Sequence, residues 1–465
     1  KTEGESRLRL KKQQYHLEPP RGLMNDPNGL AYFNGRYYVF FQWNRFAKNH
    51  SYKEWGLFTS KDLLHWDFEG SALLPDQTCD QCGVYSGSGC VIDDQLYLFY
   101  TGNAKKDGRR KSSQCIAVTR DGHRFLKLGC VLNTPEEYTE HFRDPKVLRT
   151  DSGSYFMLIG AQKKDGRGAI ALCQSDDGLS WRYSRVYAQS RACEMIECPD
   201  LFRLDGSYVL IFSPQTRNNQ EDICESSLSA YKLVASGEPS SDGCPEDLDD
   251  GYSLMDYGFD FYAPQTFTDE KGRQILFAWM SRMDDAQEAA FGQDSAGIHC
   301  LTMPRELHLK NGKLYQLPPK ELYSMRGRNI PVSRQASSVL YAKPEHRQFY
   351  LRIHPRHPFS SFSISLYGNE VSIAFDPEKQ WICLTRKHWV SGQPEYRYCS
   401  LRSLSDVEIW SDSSSLEIFL NRGEAVLSSR ICPESDDPGI RMSGSMNESD
   451  IKIYELNHME GEVYE

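Results

Sequence analysis

Three acidic residues carry the spacing that could do chemistry. Asp26, in Met24-Asn25-Asp26-Pro27-Asn28-Gly29, lies nine residues before Gly35. Asp144, in Phe142-Arg143-Asp144-Pro145, lies nine before Gly153, and Glu197, in Glu197-Cys198-Pro199-Asp200, lies nine before Gly206. Two carboxyl groups facing each other across a small cavity can break a glycosidic bond. One, ionised, attacks the anomeric carbon, and the other, protonated, delivers its proton to the leaving oxygen. A third can hold ring hydroxyls. No Ser-His-Asp arrangement competes with this reading, and Cys79-Asp80-Gln81-Cys82 has metal-like spacing without a second pair nearby, so no metal and no cofactor is expected. Taken singly, each acid also reads as the start of a turn, because Asp before Pro initiates turns. The shared phase gives the chemical reading its weight.

The elements that must position these acids are hairpins. Each acid precedes a tight Gly or Asp turn and a run rich in Tyr, Phe, Val and Ile, such as Tyr37-Tyr38-Val39-Phe40-Phe41. Ala263 before Gly272 makes a fourth copy, and Ser86 before Asp93-Asp94-Gln95 a fifth. The interval between copies, roughly 50 to 65 residues, suits a four-stranded propeller blade. A second feature recurs once per repeat in Ser60-Lys61-Asp62, Thr119-Arg120-Asp121 and Ser175-Asp176-Asp177, each followed by an aromatic residue, and reads as an outer hairpin turn capped by Asp. Blades set around one axis present equivalent positions to one central space, which would bring Asp26, Asp144 and Glu197 together. Trp43, Trp55, Tyr85, Tyr262 and Trp279 could form a sugar-stacking rim around that space, or simply fill the core.

The 465 residues are too many for one ordinary domain. Repeats run to about residue 322, and after Pro318-Pro319 they stop; beyond residue 336 come alternating strands such as Ser361-Phe362-Ser363-Ile364-Ser365-Leu366 and Ser415-Leu416-Glu417-Ile418-Phe419-Leu420. The expected architecture is all-β: a five-bladed β-propeller over residues 1–325, a linker over 326–335 and a C-terminal β-sandwich over 336–465. No helix of ordinary length is evident. Residues 1–12 read as a flexible lead-in, the acidic stretch from Pro239 to Tyr252 as a solvated loop, and Lys105 to Lys111 as an exposed turn. A formal net charge of −10 argues against nucleic acid and against an anionic membrane surface, and no apolar run reaches the ~18 residues a membrane span needs. The start at Lys1 without Met, with the sequons at Asn49 and Asn447, leads to an expectation of secretion, the cytoplasm being the alternative. The 14 Cys are scattered and leave disulfides or free thiols open. Oligomeric state has no signature.

The motifs around Asp26, Asp144 and Glu197, in this order, resemble the three signatures of glycoside hydrolase family 32, which holds invertases, fructanases and sucrose-6-phosphate hydrolases. Phe41-Gln42-Trp43-Asn44, Tyr85-Ser86-Gly87-Ser88, Asp260-Phe261-Tyr262-Ala263-Pro264 and Leu416-Glu417-Ile418-Phe419 are similar to family segments too. The resemblance implies a propeller followed by a sandwich, and a small fructoside such as sucrose as substrate. It assigns Asp26 as nucleophile, Glu197 as general acid/base, and Asp144 with Arg143 as holder of the fructosyl hydroxyls. Asn25, Gln42, Trp55 and Ser86 match positions lining the fructose pocket. Retaining chemistry then requires the two acids to be pushed apart in pKa, Glu197 protonated and Asp26 ionised. Leu23 stands before Met24 where many members have Trp, and the stretch from Tyr257 to Tyr262 resembles the bacterial sucrose-6-phosphate hydrolase branch, which some insect gut β-fructofuranosidases also resemble. Sucrose hydrolysis, sucrose 6-phosphate hydrolysis and fructosyl transfer stay open, and a non-enzymatic sugar-binding propeller is disfavoured by the intact acid pair.

Overall fold

Runs of aromatic and β-branched residues bounded by tight turns dictate antiparallel sheet, and the computed structural model, which describes residues 11–215, 228–234, 239, 243–293 and 295–457, consists almost wholly of it. Five sheets, each built on four antiparallel strands, form the first unit. Blade 1 contains Gly22–Phe33, Arg36–Asn44, Glu54–Ser60 and Trp66–Leu73; blade 2 contains Gly83–Ile92, Gln95–Lys106, Arg109–Thr119 and Leu126–Asn133. Blade 3 contains Tyr138–Arg149, Tyr155–Lys163, Gly168–Ser175 and Arg182–Gln189; blade 4 contains Met195–Leu204, Ser207–Gln215, Ala230–Val234 and Ser253–Leu254. Blade 5 contains Tyr262–Thr268, Gln274–Trp279, Arg305–Lys310 and Lys313–Leu317. The first strands neighbour one another around the axis.

Burial explains the composition of each strand. Second strands are covered on both faces by adjoining blades, so Val39, Phe40 and Phe41, like Leu96, Leu98 and Phe99, form continuous apolar runs. Fourth strands lie at the rim and alternate between half-buried and exposed residues. The third and fourth strands of blades 1 to 3 are joined by the recurring Asp turns. Asp62 Oδ1 accepts from the backbone N–H of Leu64 and His65, Asp121 Oδ1 from His123 and Arg124, and Asp177 Oδ1 from Leu179 and Ser180. Trp66 and Trp181 return an indole N–H to the turn carbonyls of Leu63 and Gly178. The ring is closed in blade 1 by Gly297–Ile298, which runs parallel to Gly22 and Leu23.

Residues beyond 325 form two packed sheets, one of six strands and one of seven, around a core that includes Leu351, Ile364, Ile373, Ile418 and Leu427. The expected linker over 326–335 is corrected here: Arg326–Asn329 pairs with Ile451–Leu456 in one sheet, and Ser333–Ala336 pairs with Val339–Ala342 in the other. Its polar, Arg-rich composition reflects edge strands facing water rather than a tether. The acidic stretch is also more ordered than a loop, since Glu246–Asp247 adds to blade 3 beside Arg182–Gln189 and Leu248 is buried. A two-turn helix, Asp285–Phe291, is capped by Asp284 and went unread in the sequence.

The expected flexible lead-in lies outside the described residues up to position 10, but residues 11–18 are strapped across the seam between propeller and sandwich. His16 places Nδ1 2.9 Å from Asp412 and Nε2 2.9 Å from Glu417, all three fully buried. Burial alone would lower the imidazolium, but the two carboxylates outweigh it and push His16 up to about 9. Arg305 of blade 5 continues the seam, reaching Glu417 at 2.6 Å and Asp256 at 3.1 Å.

Candidate active site

One backbone irregularity, repeated in every blade, builds the site. Register in the first strand skips between Met24 and Pro27, Val84 and Gly87, Arg143 and Lys146, Glu197 and Asp200, and Tyr262 and Gln265. Two residues there oppose one on the partner strand, a β-bulge that re-aims side chains toward the axis. Asp144 (φ 66°), Cys198 (φ 47°) and Ala263 (φ 48°) take the left-handed conformation at the first bulge position. Such backbone costs about 1–3 kcal/mol per residue and concentrates at functional sites.

Pairing corrects the idea that the three acids are equivalent. Asp26 is the second bulge residue of blade 1, as Ser86 is in blade 2; Asp144 is the first in blade 3; Glu197 precedes the bulge in blade 4, as Tyr262 does in blade 5. The common nine-residue spacing is a coincidence of compensations. Blade 1 carries a second bulge between Asn28 and Ala31, where Gly29 has φ 56°, and blade 3 has a longer turn before Tyr155 than the Asp205-Gly206 turn of blade 4. All three acids nevertheless meet at the axis, where Asp26 and Asp144 each feel the charge of Glu197.

Asp26 Oδ2 accepts the Ser86 hydroxyl at 2.7 Å, and the Asn25 side chain also bonds its carboxyl. Burial raises Asp26; the Ser86 donor and Lys53 oppose it, and Glu197 adds to it. Lys53, itself buried and pushed down to about 8 chiefly by that burial, donates to Asn25 Oδ1 and to His50 Nδ1. Asp144 is pushed up to about 7, by burial first, with Arg143 opposing and the other two acids reinforcing. Its Oδ2 accepts the Cys198 backbone N–H at 3.0 Å, and its own N–H donates to Thr101. Burial would raise Glu197 as well. Here the Arg143 guanidinium, 2.6 Å from Oε1, and the Tyr262 hydroxyl on Oε2 outweigh it and hold the carboxyl below its ordinary range. Gln215 donates to the same Oε2 at 2.6 Å. The required order, Glu197 above Asp26, is therefore reversed in the free site, because Arg143 and Tyr262 hold Glu197 down while burial raises Asp26.

The aromatic rim is redistributed too. Trp55 is 0 % exposed, packs on Phe40 and Tyr100, and donates its indole N–H to the Tyr85 carbonyl, so it props the blade 2 bulge from within the core. Trp43 is likewise core, bonded to the Arg21 carbonyl. Tyr262 lies with its ring under the Arg282 guanidinium at 4.3 Å, and Tyr85 under Arg110 at 5.0 Å, so one face of each is already covered. Trp279 packs with Cys198, Tyr262 and Ala263 at the axis, and its buried N–H has no partner among the described residues. Gln42 is buried opposite the blade 1 bulge and donates to the Val84 carbonyl, tying blades 1 and 2. Among the described residues no cluster of His, Cys, Asp and Glu could hold a metal ion. Cys79 and Cys82 are among thirteen described cysteines, and no disulfide joins any two of these.

Comparison with known proteins matches the two halves of the fold separately. Residues 16–318 match the glycosyl hydrolases family 32 N-terminal domain, and residues 321–458 match the glycosyl hydrolases family 32 C terminal. The chain belongs to glycosyl hydrolase family 32. It is 40% identical to the sucrose-6-phosphate hydrolase of Bacillus subtilis (strain 168) over 91% of this chain and 89% of that one. It is 38% identical to the raffinose invertase of Escherichia coli, covering 91% and 90%. A Bombyx mori GH32 β-fructofuranosidase mutant solved in complex with sucrose superposes with a TM-score of 0.81 at 26% identity, covering 98% and 95%. The chain is thus a glycoside hydrolase of the β-fructofuranosidase type.

Several members of this family 32 site escaped sequence reasoning. Lys53, His50, Gln215 and Arg282 stand outside the motifs, on strand ends and loops, and only three-dimensional proximity reveals them. Ser86 was found as a repeat position, but its bond to Asp26 follows from the shared bulge register, which strand pairing alone discloses.

Proposed function

We propose that this enzyme cleaves the terminal β-D-fructofuranoside of sucrose with retention of configuration. Asp26 attacks the anomeric carbon of fructose and Glu197 protonates the departing oxygen; Glu197 then activates water against the fructosyl-enzyme. What supports this is the pairing of a carboxylate held for attack by Ser86 and Asn25 with a second carboxyl in reach of its charge. The free-site order of the two acids is compatible with it. Bound sugar hydroxyls that take over the N–H groups of Arg143 and the Tyr262 hydroxyl remove the bonds that hold Glu197 down, so burial raises its pKa and makes it an acid. Asp144 accepts ring hydroxyls of the fructosyl unit, and the buried Trp279 N–H, without a partner among the described residues, is a further donor for the sugar. Asn25, Gln42, Tyr85, Ser86, Tyr262 and Trp279 shape the pocket, with Trp55 acting through the Tyr85 carbonyl it bonds.

Sucrose 6-phosphate is the second reading, favoured by the relative of that name in B. subtilis. Hydrolysis of sucrose, sucrose 6-phosphate and a short fructan measured side by side decides between them, with product analysis at high sucrose reporting transfer. No release of fructose from any of the three would refute the proposal. Secretion stays a proposal of the sequons alone; the described residues include no helix long and apolar enough to cross a membrane.

A further inference from the structure

A buried ammonium group stands one side chain away from Asp26. Lys53 lies on the connection between the second and third strands of blade 1, one residue before Glu54–Ser60, and its carbonyl accepts the Val84 backbone N–H at 3.0 Å. That bond ties it to the strand that carries Ser86. Its side chain is buried, and its Cβ lies so close to Gly83 that a Cβ on that glycine would stand 3.2 Å away. Nζ donates to Asn25 Oδ1 and, at 2.8 Å, to His50 Nδ1. Both acceptors are neutral, since His50 is pushed down to about 4, by burial first and by Lys53 next. The negative charges that favour the ammonium are Asp26 first and then Glu288, on the helix Asp285–Phe291. Glu288 in turn pairs with His299 at 3.0 Å, and His299 and Arg282 both act on His50.

A buried ammonium served by neutral acceptors is unfavourable in itself; what compensates is the carboxylate within reach of its charge. The contact with Asn25 is also directional. With Oδ1 taken by Lys53, the Asn25 amide turns its Nδ2–H to the Asp26 carboxyl that it bonds, whereas the opposite orientation would set a carbonyl oxygen against a carboxylate. Lys53 is pushed down only to about 8, so it keeps its charge across the acid range in which Asp26 ionises. We propose that Lys53 is a positioning residue for the nucleophile: it fixes the Asn25 amide and supplies the counter-charge that keeps Asp26 ionised and aimed at the anomeric carbon. The inference rests on the reading of Asp26 as the attacking group.

The test follows kcat on saturating sucrose from pH 3 to 9 in the native enzyme, Lys53→Met, Lys53→Gln and Lys53→Arg, with thermal melting of each. Lys53→Met should lower kcat about 10- to 100-fold, as expected for a misaimed nucleophile, and move the acid limb upward by about 1 unit, as expected for loss of a nearby opposite charge. Lys53→Gln keeps a donor for Asn25 and removes the charge, so it should show the same shift with a smaller loss of kcat, and it carries the test if Lys53→Met does not fold. Lys53→Arg should return the acid limb to within a few tenths of the native one. In an Asn25→Ala background, Lys53→Met should cost only about threefold, because the two act through one contact. Unmoved limbs in Lys53→Met and Lys53→Gln, whatever the melting temperature does, would assign Lys53 to structure alone and overturn the proposal. A shift of the alkaline limb alone would place Lys53 on the acid and sink the assignment of Asp26 on which the proposal rests. A native enzyme inactive on every fructoside would instead sink the fructosidase reading itself.

Discussion

Ser86→Ala isolates one interaction on the attacking carboxylate. The hydroxyl donates to Asp26 Oδ2 at 2.7 Å inside a buried site, and it is the strongest influence opposing the rise that burial imposes. A hydrogen bond to a charged group contributes about 1.5–3 kcal/mol, which corresponds to about 1–2 pH units of carboxyl pKa. Loss of the donor disfavours the charged form, so the pKa rises further. Because Asp26 must be ionised to attack, the acid limb of the kcat profile, which reports the substrate complex in which Glu197 is the higher of the two, should move upward by about 1–2 units, while the alkaline limb, set by the acid, stays within a few tenths. The two carboxyls interact, so the limbs report the pair rather than isolated groups, but the limb that moves identifies the nucleophile. The assay is initial-rate hydrolysis of sucrose from pH 3 to 9, with thermal melting to show an intact fold. A shift confined to the alkaline limb would mean that Ser86 serves the acid and that the assignment is inverted.

Asp144→Asn should lower kcat on a folded protein, since hydroxyl contacts strengthen as charge develops on the ring; a rise in KM at unchanged kcat would make it an ordinary binding residue. The same variant has a stability signature. With Asp144 pushed up to about 7, the folded state binds more protons than the unfolded one, whose carboxyl titrates near 4. Its contribution is complete below about pH 4 and is lost as pH rises through about 7, so Asn should raise Tm relative to the native protein at pH 8 but not at pH 4; an equal change at both would refute it. His16→Ala should cost about 3–5 kcal/mol at pH 7 by stranding Asp412 and Glu417 in the seam. Since His16 is pushed up to about 9 from an ordinary value near 6.5, its contribution is full below about 6.5 and fades as pH rises through about 9, and denaturation should show the two proteins converging above that pH. Deleting residues 326–457 should remove the partners of Asp256 and Arg305 and leave an insoluble or markedly destabilised propeller; full activity with unchanged Tm in that truncation would contradict a structural role for the sandwich.

Strand periodicity and turn chemistry are local, and so the hairpins, the Asp-capped outer turns and the two-unit architecture were legible in the sequence. Asp62, Asp121 and Asp177 make the bonds their turn positions imply. Register was not legible. A bulge is one extra residue whose effect depends on the partner strand, which is why Asp26, Asp144 and Glu197 read as equivalent although each occupies a different place in its bulge. Residues 326–335 read as a linker because edge strands of a solvated sheet are as polar as linkers. Long-range electrostatics were also out of reach. The hold of Arg143 and Tyr262 on Glu197 joins three blades, and nothing near Glu197 in the chain announces it.

The roles of the two carboxylates are tested most directly by the anomeric configuration of the fructosyl azide formed by Glu197→Ala and by Asp26→Ala from an activated fructoside. With Glu197 removed, Asp26 still forms the covalent intermediate, and azide, which needs no deprotonation, should restore turnover and give the retained product. With Asp26 removed, a single displacement should give any azide adduct inverted configuration. Inversion from Glu197→Ala together with retention from Asp26→Ala would contradict the assignment of nucleophile and acid.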